Sequence, residues 1–418
     1  MLSDKLHQNQ NLIVQAQKLI VSVMLILLML RPQLLSITLF ALIITNILTA
    51  FSAIKASHIT KNKFMQMSLV LGLIFLLGMI GTKNLDRAIF DVVQKFSIPL
   101  IGFLIIYPFS GDKKSIQFIK NSFVFSGMAT LLLCFILAYM KHAETGSLDP
   151  FYYTELSAFM HPGYFAMYLS FALAIMLDER KSFCLDYKSS IIFNLGAAFL
   201  ITGIFFLASK SGYVTVIALG ILFANKEIRN AKNPRLKRKI EILAVLFLLG
   251  ISAALVLKSN RIKLMIYDYN HFETTNDENL STAGKRVLIW ESAGGVIHDH
   301  FWIGTGVGND NAALKKEFEN RGYKYLASRN LNAHNQFIQA FITLGISGFL
   351  FMLLYLFFPL WIGIKNKDFL LIAFSWIIIL NAFTESILNR QAGVLFFTIW
   401  AFLLVIQKPK SPKLPAKQ

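Results

Sequence analysis

Apolar runs of membrane length recur along most of this 418-residue chain, and most are joined by connections too short to hold a domain. A bilayer core about 30 Å thick takes roughly 20 apolar residues per helix, and a helix is the open-chain form that satisfies every backbone group internally. Spans are expected at residues 14–30, 34–54, 64–81, 92–109, 118–140 and 158–177, then at 190–208, 212–224, 240–257, 334–358, 369–383 and 392–406. The chain therefore reads as an all-α polytopic membrane protein with about 12 transmembrane helices. Pro99 and Pro108 interrupt the fourth run, and Ser209-Lys210-Ser211-Gly212 divides the seventh from the eighth. Composition agrees, because a chain 55% hydrophobic and 15% charged, with a mean hydropathy of +0.56, lacks the polar cover of a soluble domain.

One connection is long. Residues 258–332 are polar, basic and aromatic, and a loop of that length usually carries function or is disordered. Disorder fits poorly, since Tyr267, Tyr269, Phe272, Trp290, Trp302, Tyr323 and Tyr325 give it aromatic mass to bury. The expected organisation is helices one to nine over 1–257, a large loop over 258–332, helices ten to twelve over 333–406, and a basic, proline-rich, disordered cytoplasmic tail over 407–418. The first apolar run lacks a small-residue cleavage site and is read as an uncleaved span. No internal repeat or pair of broken helices is evident, which weakens a secondary-transporter reading.

Lys and Arg are retained on the cytoplasmic side of short loops. Placing both termini there collects Lys226, Arg229, Lys232, Arg235, Lys237, Arg238 and Lys239 inside, and puts the long loop outside the cytoplasm. The net charge of +18 thus reports orientation and anionic lipid. Nucleic acid is not an expected partner, because no soluble basic face is present. Cys134 and Cys184, far apart in sequence and expected depth, imply neither a disulfide nor a metal site.

Several polar residues stand where chemistry is possible. Lys210 lies between apolar runs, where an ionisable group needs a partner or a wet cavity. Ser209, Ser211 and Gly212 beside it would expose helix N-terminal amides, which attract anions; the competing reading is a short outer turn whose lysine snorkels to headgroups. Arg286 falls in a pattern compatible with an amphipathic helix beginning near Ser281, its basic face toward the membrane surface. A guanidinium suits phosphate because its planar donors engage two oxygens at once, although a solvated or lipid-facing arginine fits the same spacing. His334 opens the tenth span at the water boundary, where an imidazole could take a proton from a hydroxyl; Asn335 would orient it or cap the helix. Glu385 and Arg390 fall between the last two spans, where they could pair with each other, or Glu385 could hold the basic cluster or His334. His161, followed by Pro162-Gly163, reads as a helix start and a weaker candidate. Gly304 to Asn309 follows no strand, so it reads as a tight turn of closely approaching backbone, not a nucleotide loop. His298, Asp299 and His300 match no standard zinc spacing.

Together these residues resemble the bacterial O-antigen ligase and polymerase superfamily. Ser209-Lys210-Ser211-Gly212 is similar to the family's Ser-Arg-Ser-Gly motif, and Arg286 with Trp290 to its Arg-x-x-x-Trp. Gly304 to Asn309, including Gly306, resembles its glycine-rich loop. Ala333-His334-Asn335-Gln336-Phe337, followed by Gly345 and Gly348, resembles its His-Asn segment, and Glu385-Ser386 stands where the family often has Glu-Ser. The likeness covers roughly residues 199–397. Lys210 departs from the family's arginine, keeping the charge but losing the bidentate fork.

The resemblance implies a GT-C-like fold with one large helical periplasmic loop, in the bacterial inner membrane. It implies a glycan donor carried on polyprenyl (undecaprenyl) diphosphate, an acceptor hydroxyl on lipid A core or another glycan, and neither metal nor other cofactor. Arg286 and Lys210, with Ser209 and Ser211, would hold the diphosphate, while His334 deprotonates the acceptor. Asn335, Glu385, Trp290, Gly304, Gly306 and Arg390 would support them. A ligase is expected slightly ahead of a polymerase, from the compact length and the single dominant outer loop, and a protein O-oligosaccharyltransferase would share the donor chemistry. A non-enzymatic lipid-glycan transporter is the alternative of a different class.

Overall fold

The computed structural model describes residues 2–50, 62–230, 233 and 277–406. The ninth expected span (240–257), the end of the second (51–54), residues 258–276 of the long loop with Tyr267, Tyr269 and Phe272, the basic residues Lys232, Arg235, Lys237, Arg238 and Lys239, and the tail 407–418 lie outside the described residues. Every other expected span is helical: α1 (Leu2–Leu30), α2 (Leu35–Ala50), α3 (Lys63–Leu77), α4 (Leu85–Phe109), α5 (Lys113–Thr145), α7 (Pro162–Phe183), α8 (Tyr187–Phe206), α9 (Lys210–Asn230), α13 (Gln336–Asn366), α14 (Phe369–Ala382) and α15 (Gln391–Ile406). The short α6 (Tyr153–Leu156) joins α5 to α7, and α10 (Thr282–Asp299), α11 (Asp310–Asn320) and α12 (Lys324–Ala327) occupy the described part of the long connection. The protein is an all-helical membrane protein, with five helices long and apolar enough to cross a bilayer and four shorter apolar ones among the described residues. Exposed Phe40, Phe125, Leu132, Ile136 and Ile192 give the outer helices the apolar surface that lipid covers.

Local chemistry sets the helix ends. α4 is one helix through Pro99 and Pro108, not an interrupted span. Prolines are tolerated in membrane helices where neighbouring groups meet the carbonyls they release. It begins well before Val92 because the Asn84 side chain accepts from the Arg87 N–H at 3.3 Å. α8 stops at Phe206, Ala208 takes a positive φ of 46°, and the Ser209 hydroxyl accepts from the Gly212 N–H at 3.3 Å to start α9.

α7 is the buried axis of the bundle, with residues 164–175 enclosed on all sides, the mark of a central helix. It runs parallel to α9. Gly212 lies so close to Ala166 near their starts that a Cβ there would meet the alanine methyl at 2.9 Å, and Lys226 pairs with Asp178 at 2.8 Å near their ends. The starts of α7, α9, α13 and α15 therefore share one end of the bundle with the last turn of α14. The opposite end gathers Lys113, Lys120, Arg180, Lys181, Lys226 and Lys367 around a cavity of about 600 Å³.

α10 to α12 form a second, smaller core on the first end, built from Leu288, Ile289, Val296, Leu314, Phe318 and Leu326. The glycine-rich turn locks it to the bundle. α13 breaks at Gly345 (φ 67°, ψ −161°), and the preceding turn supplies its missing partners: Ile346 N–H donates to Phe301 O at 2.9 Å, Thr305 N–H to Ile342 O at 2.8 Å, and Gly306 N–H to Thr343 O at 3.1 Å. Gly304 and Gly306 have φ of 77° and 85°, and a side chain on Gly304 would strike the backbone of residues 343–345.

Candidate active site

His334 sits on a turn whose every neighbour is tied down. Asn335 caps α13, its Oδ1 accepting from Phe337 N–H at 2.9 Å and Ile338 N–H at 3.1 Å, while its Nδ2 donates to Phe383 O at 3.1 Å. Ala333 N–H donates to Gln339 Oε1 at 2.8 Å, and Trp290 Nε1–H donates to Ala333 O at 2.9 Å. Held on both sides, His334 adopts a φ of 45°, a left-handed conformation that costs a non-glycine residue about 1–3 kcal/mol and clusters at functional sites.

Glu385 joins the tenth span to the long connection. One carboxylate oxygen pairs with Arg286 Nη2 and the other lies 3.2 Å from His334 Nδ1. The three side chains are 20–26% exposed, enough to be reached from outside. Burial pushes the Glu385 carboxyl up, but the His334 hydrogen bond and the charge of Arg286 outweigh it and hold the group below its ordinary value. A carboxylate only accepts, so His334 Nδ1 carries the proton and its Nε2 is left as an acceptor. The Arg286 Nε–H is buried with no hydrogen-bond partner among the described residues.

Two expectations are corrected. Glu385 pairs with Arg286 and His334, not with Arg390, which is exposed on the same loop; the acid is drawn to the less solvated cation and the imidazole. α10 does begin after a Ser281 cap, but its basic residues turn toward protein, Arg286 to Glu385 and Lys285 over the Tyr325 ring at 4.3 Å, because its apolar stripe is spent on the second core.

The remaining candidates occupy the same end without joining this trio directly. Lys210 is exposed at the first position of α9. The Ser209 hydroxyl, already capping α9, lies 3.1 Å from that of Ser211. His161 caps α7, its Nδ1 accepting from Gly163 N–H at 3.2 Å, and its charge couples to Glu385, Arg286, Arg390 and His334. His298 and Asp299 contact each other at an exposed helix end, and no group of three metal-ligating side chains occurs among the described residues.

Buried charged residues escaped the sequence reading, Asp310 and Lys95 among them. Asp310 accepts from Gln339 Nε2, and from Thr343 Oγ1 at 3.3 Å, and so fixes the glutamine that holds Ala333. Lys95, wholly buried in α4, donates to Leu388 O at 2.5 Å and Asn389 Oδ1 at 3.0 Å in the Glu385 loop. A lysine inside an apolar span was itself a signal, since such residues are costly and rarely idle.

Comparison with curated proteins gives no match. Residues 195–353, which carry Lys210, Arg286, the glycine-rich turn and His334, match the family model described as O-Antigen ligase. That segment of the chain is similar to the O-antigen ligase family, and the side chains of the resembling motifs cluster at one end of the bundle.

Proposed function

We propose that the protein is a glycosyltransferase that moves a glycan from a polyprenyl diphosphate to an acceptor hydroxyl, with a lipid A core sugar as the acceptor. The observation that carries this is the Glu385 bridge, which sets a guanidinium and a proton-accepting imidazole side by side.

In this scheme the acceptor hydroxyl gives its proton to His334 Nε2 as its oxygen attacks the anomeric carbon of the donor sugar. The bond from that carbon to the diphosphate oxygen breaks, and polyprenyl diphosphate leaves with the electron pair. Glu385 fixes the His334 tautomer and stabilises the imidazolium that forms. Arg286, with donors beyond the Nη2 used by Glu385, meets the growing charge on the leaving diphosphate, and Lys210 at the start of α9 adds a second cation. The cations are side chains, and no step is assigned to a metal ion.

The basic residues at the opposite end favour placing that end in the cytoplasm, which puts both termini there and the site at the periplasmic face of the inner membrane. The test uses purified protein in liposomes with a labelled polyprenyl-diphosphate glycan. Covalent transfer to lipid A core supports the ligase. Transfer onto a second lipid-linked repeat replaces it with a polymerase, and translocation without product overturns the enzyme reading.

A further inference from the structure

α7 starts with proline at its first position, where the missing N–H costs nothing, and the residue before it supplies the cap. That residue is His161, and it caps through Nδ1, which accepts the Gly163 N–H. A ring nitrogen that accepts a hydrogen bond holds no proton, so the neutral ring carries its proton on Nε2. Desolvation by its neighbours pushes the pKa of the otherwise exposed His161 below its ordinary 6.5; Glu385 opposes this, while Arg286, Arg390 and His334 reinforce it. At neutral pH the ring is therefore uncharged and Nε2–H is a donor.

The start of α7 lies beside the Glu385 loop. Tyr168, two turns along, donates its hydroxyl to Ala392 O at 3.0 Å, just past Arg390. Tyr164 packs edge-on against His161 at 6.2 Å, and its hydroxyl is buried without a hydrogen-bond partner among the described residues. His161 is exposed. Two histidines thus meet at one end of the bundle in opposite tautomers. His334 presents a bare Nε2 that takes a proton, while the His161 cap dictates an Nε2–H that gives a hydrogen bond.

We infer that His161 touches the lipid-linked substrate, donating Nε2–H to a non-bridging oxygen of the polyprenyl diphosphate. This rests on the glycosyltransferase reading above. A neutral donor at that point stabilises the diphosphate without competing with His334 for the acceptor's proton, and a hydrogen bond to a charged oxygen is among the stronger kinds. A histidine that served only as a cap would need Nδ1 alone.

Substitution separates the two roles. His161→Asn keeps a capping oxygen but withdraws the outer donor, whereas the longer amide of His161→Gln reaches about as far as Nε2. Binding of a short-chain polyprenyl diphosphate to the purified full-length protein, glycan transfer and unfolding temperature are measured for each. His161→Asn is expected to unfold like wild type yet lose about ten- to a hundred-fold in diphosphate affinity and transfer, with His161→Gln recovering much of both. Wild-type affinity and transfer in His161→Asn overturns the inference and leaves a cap. His334→Ala is expected to abolish transfer with His161 intact; transfer that survives in His334→Ala but is lost in His161→Asn would make His161 the base and also overturn it. Binding keeps the two proposals apart: wild-type protein that binds diphosphate without transferring glycan overturns the enzyme reading, while the affinity of His161→Asn still decides the contact.

Discussion

Two charged clusters hold the same loop, residues 383–390. In one, Glu385 holds Arg286 and His334, all partly open to the outside. In the other, Lys95, Asp91 and Asp310 are 0–3% exposed, with Arg87 bonded to Asp91 at 3.3 Å and the Lys95 ammonium over the Phe75 ring at 4.9 Å. The closed cluster spends the Lys95 donors on the loop's own backbone and Asn389. The open cluster leaves His334 Nε2 unused by the described protein, and its Arg286 Nε–H is buried without a partner among the described residues. Partly satisfied charges at a reachable surface suit a substrate, whereas charges shut inside protein set position. Both kinds are needed here, because His334 is strained and Glu385 lies on a loop.

The contrast is tested most severely at the open cluster. His334→Ala and Arg286→Ala should each lower glycan transfer by about 10²–10⁴-fold, while detergent-solubilised protein unfolds near the wild-type temperature; near-normal transfer by either removes it from the reacting set. Lys95→Ala should behave the opposite way. It leaves Leu388 O and Asn389 Oδ1 without their buried donor, at about 1–3 kcal/mol each, so thermal unfolding should fall sharply and activity be lost through folding; unchanged stability would mean the closed cluster is not structural. Smaller effects follow. Trp290→Phe removes the hydrogen bond to Ala333 O and should cost about 1 kcal/mol, read as a lower turnover without loss of assembled protein.

The pH dependence of stability separates the clusters last. The folded-state pKa of Glu385 lies below its ordinary 4.5, so its contribution is complete above that value and is lost as pH falls through the folded one. The stability gap between wild type and Glu385→Gln should therefore be constant near neutrality and close in acid. A gap that widens in acid contradicts the bridge.

Much of the architecture was legible because hydropathy is a one-dimensional signal: a run long and apolar enough to cross a bilayer must be helical wherever it lies in the bundle. Asn335 as a cap, the start of α10 after Ser281 and the break at Ser209 follow from residues a turn apart. Arg286, His334 and Glu385 were singled out individually. Their partners were not legible, since Arg286 and Glu385 are 99 residues apart and Glu385 could as readily have faced Arg390. Lys95 stands inside an apolar span, and its partners Leu388 O and Asn389 lie nearly 300 residues away, so its place in the site is not local information.

By itself, then, the order of residues determined a helical membrane protein, some of its helix caps and the residue types able to handle a diphosphate and a hydroxyl, because each of these depends on near neighbours or on transfer from water to lipid. Which acid meets which base, which tautomer each histidine carries and which cluster at the Glu385 loop is closed were decided only in three dimensions. Those choices are made by packing between helices distant along the chain, where a shift of a few ångströms exchanges one partner for another.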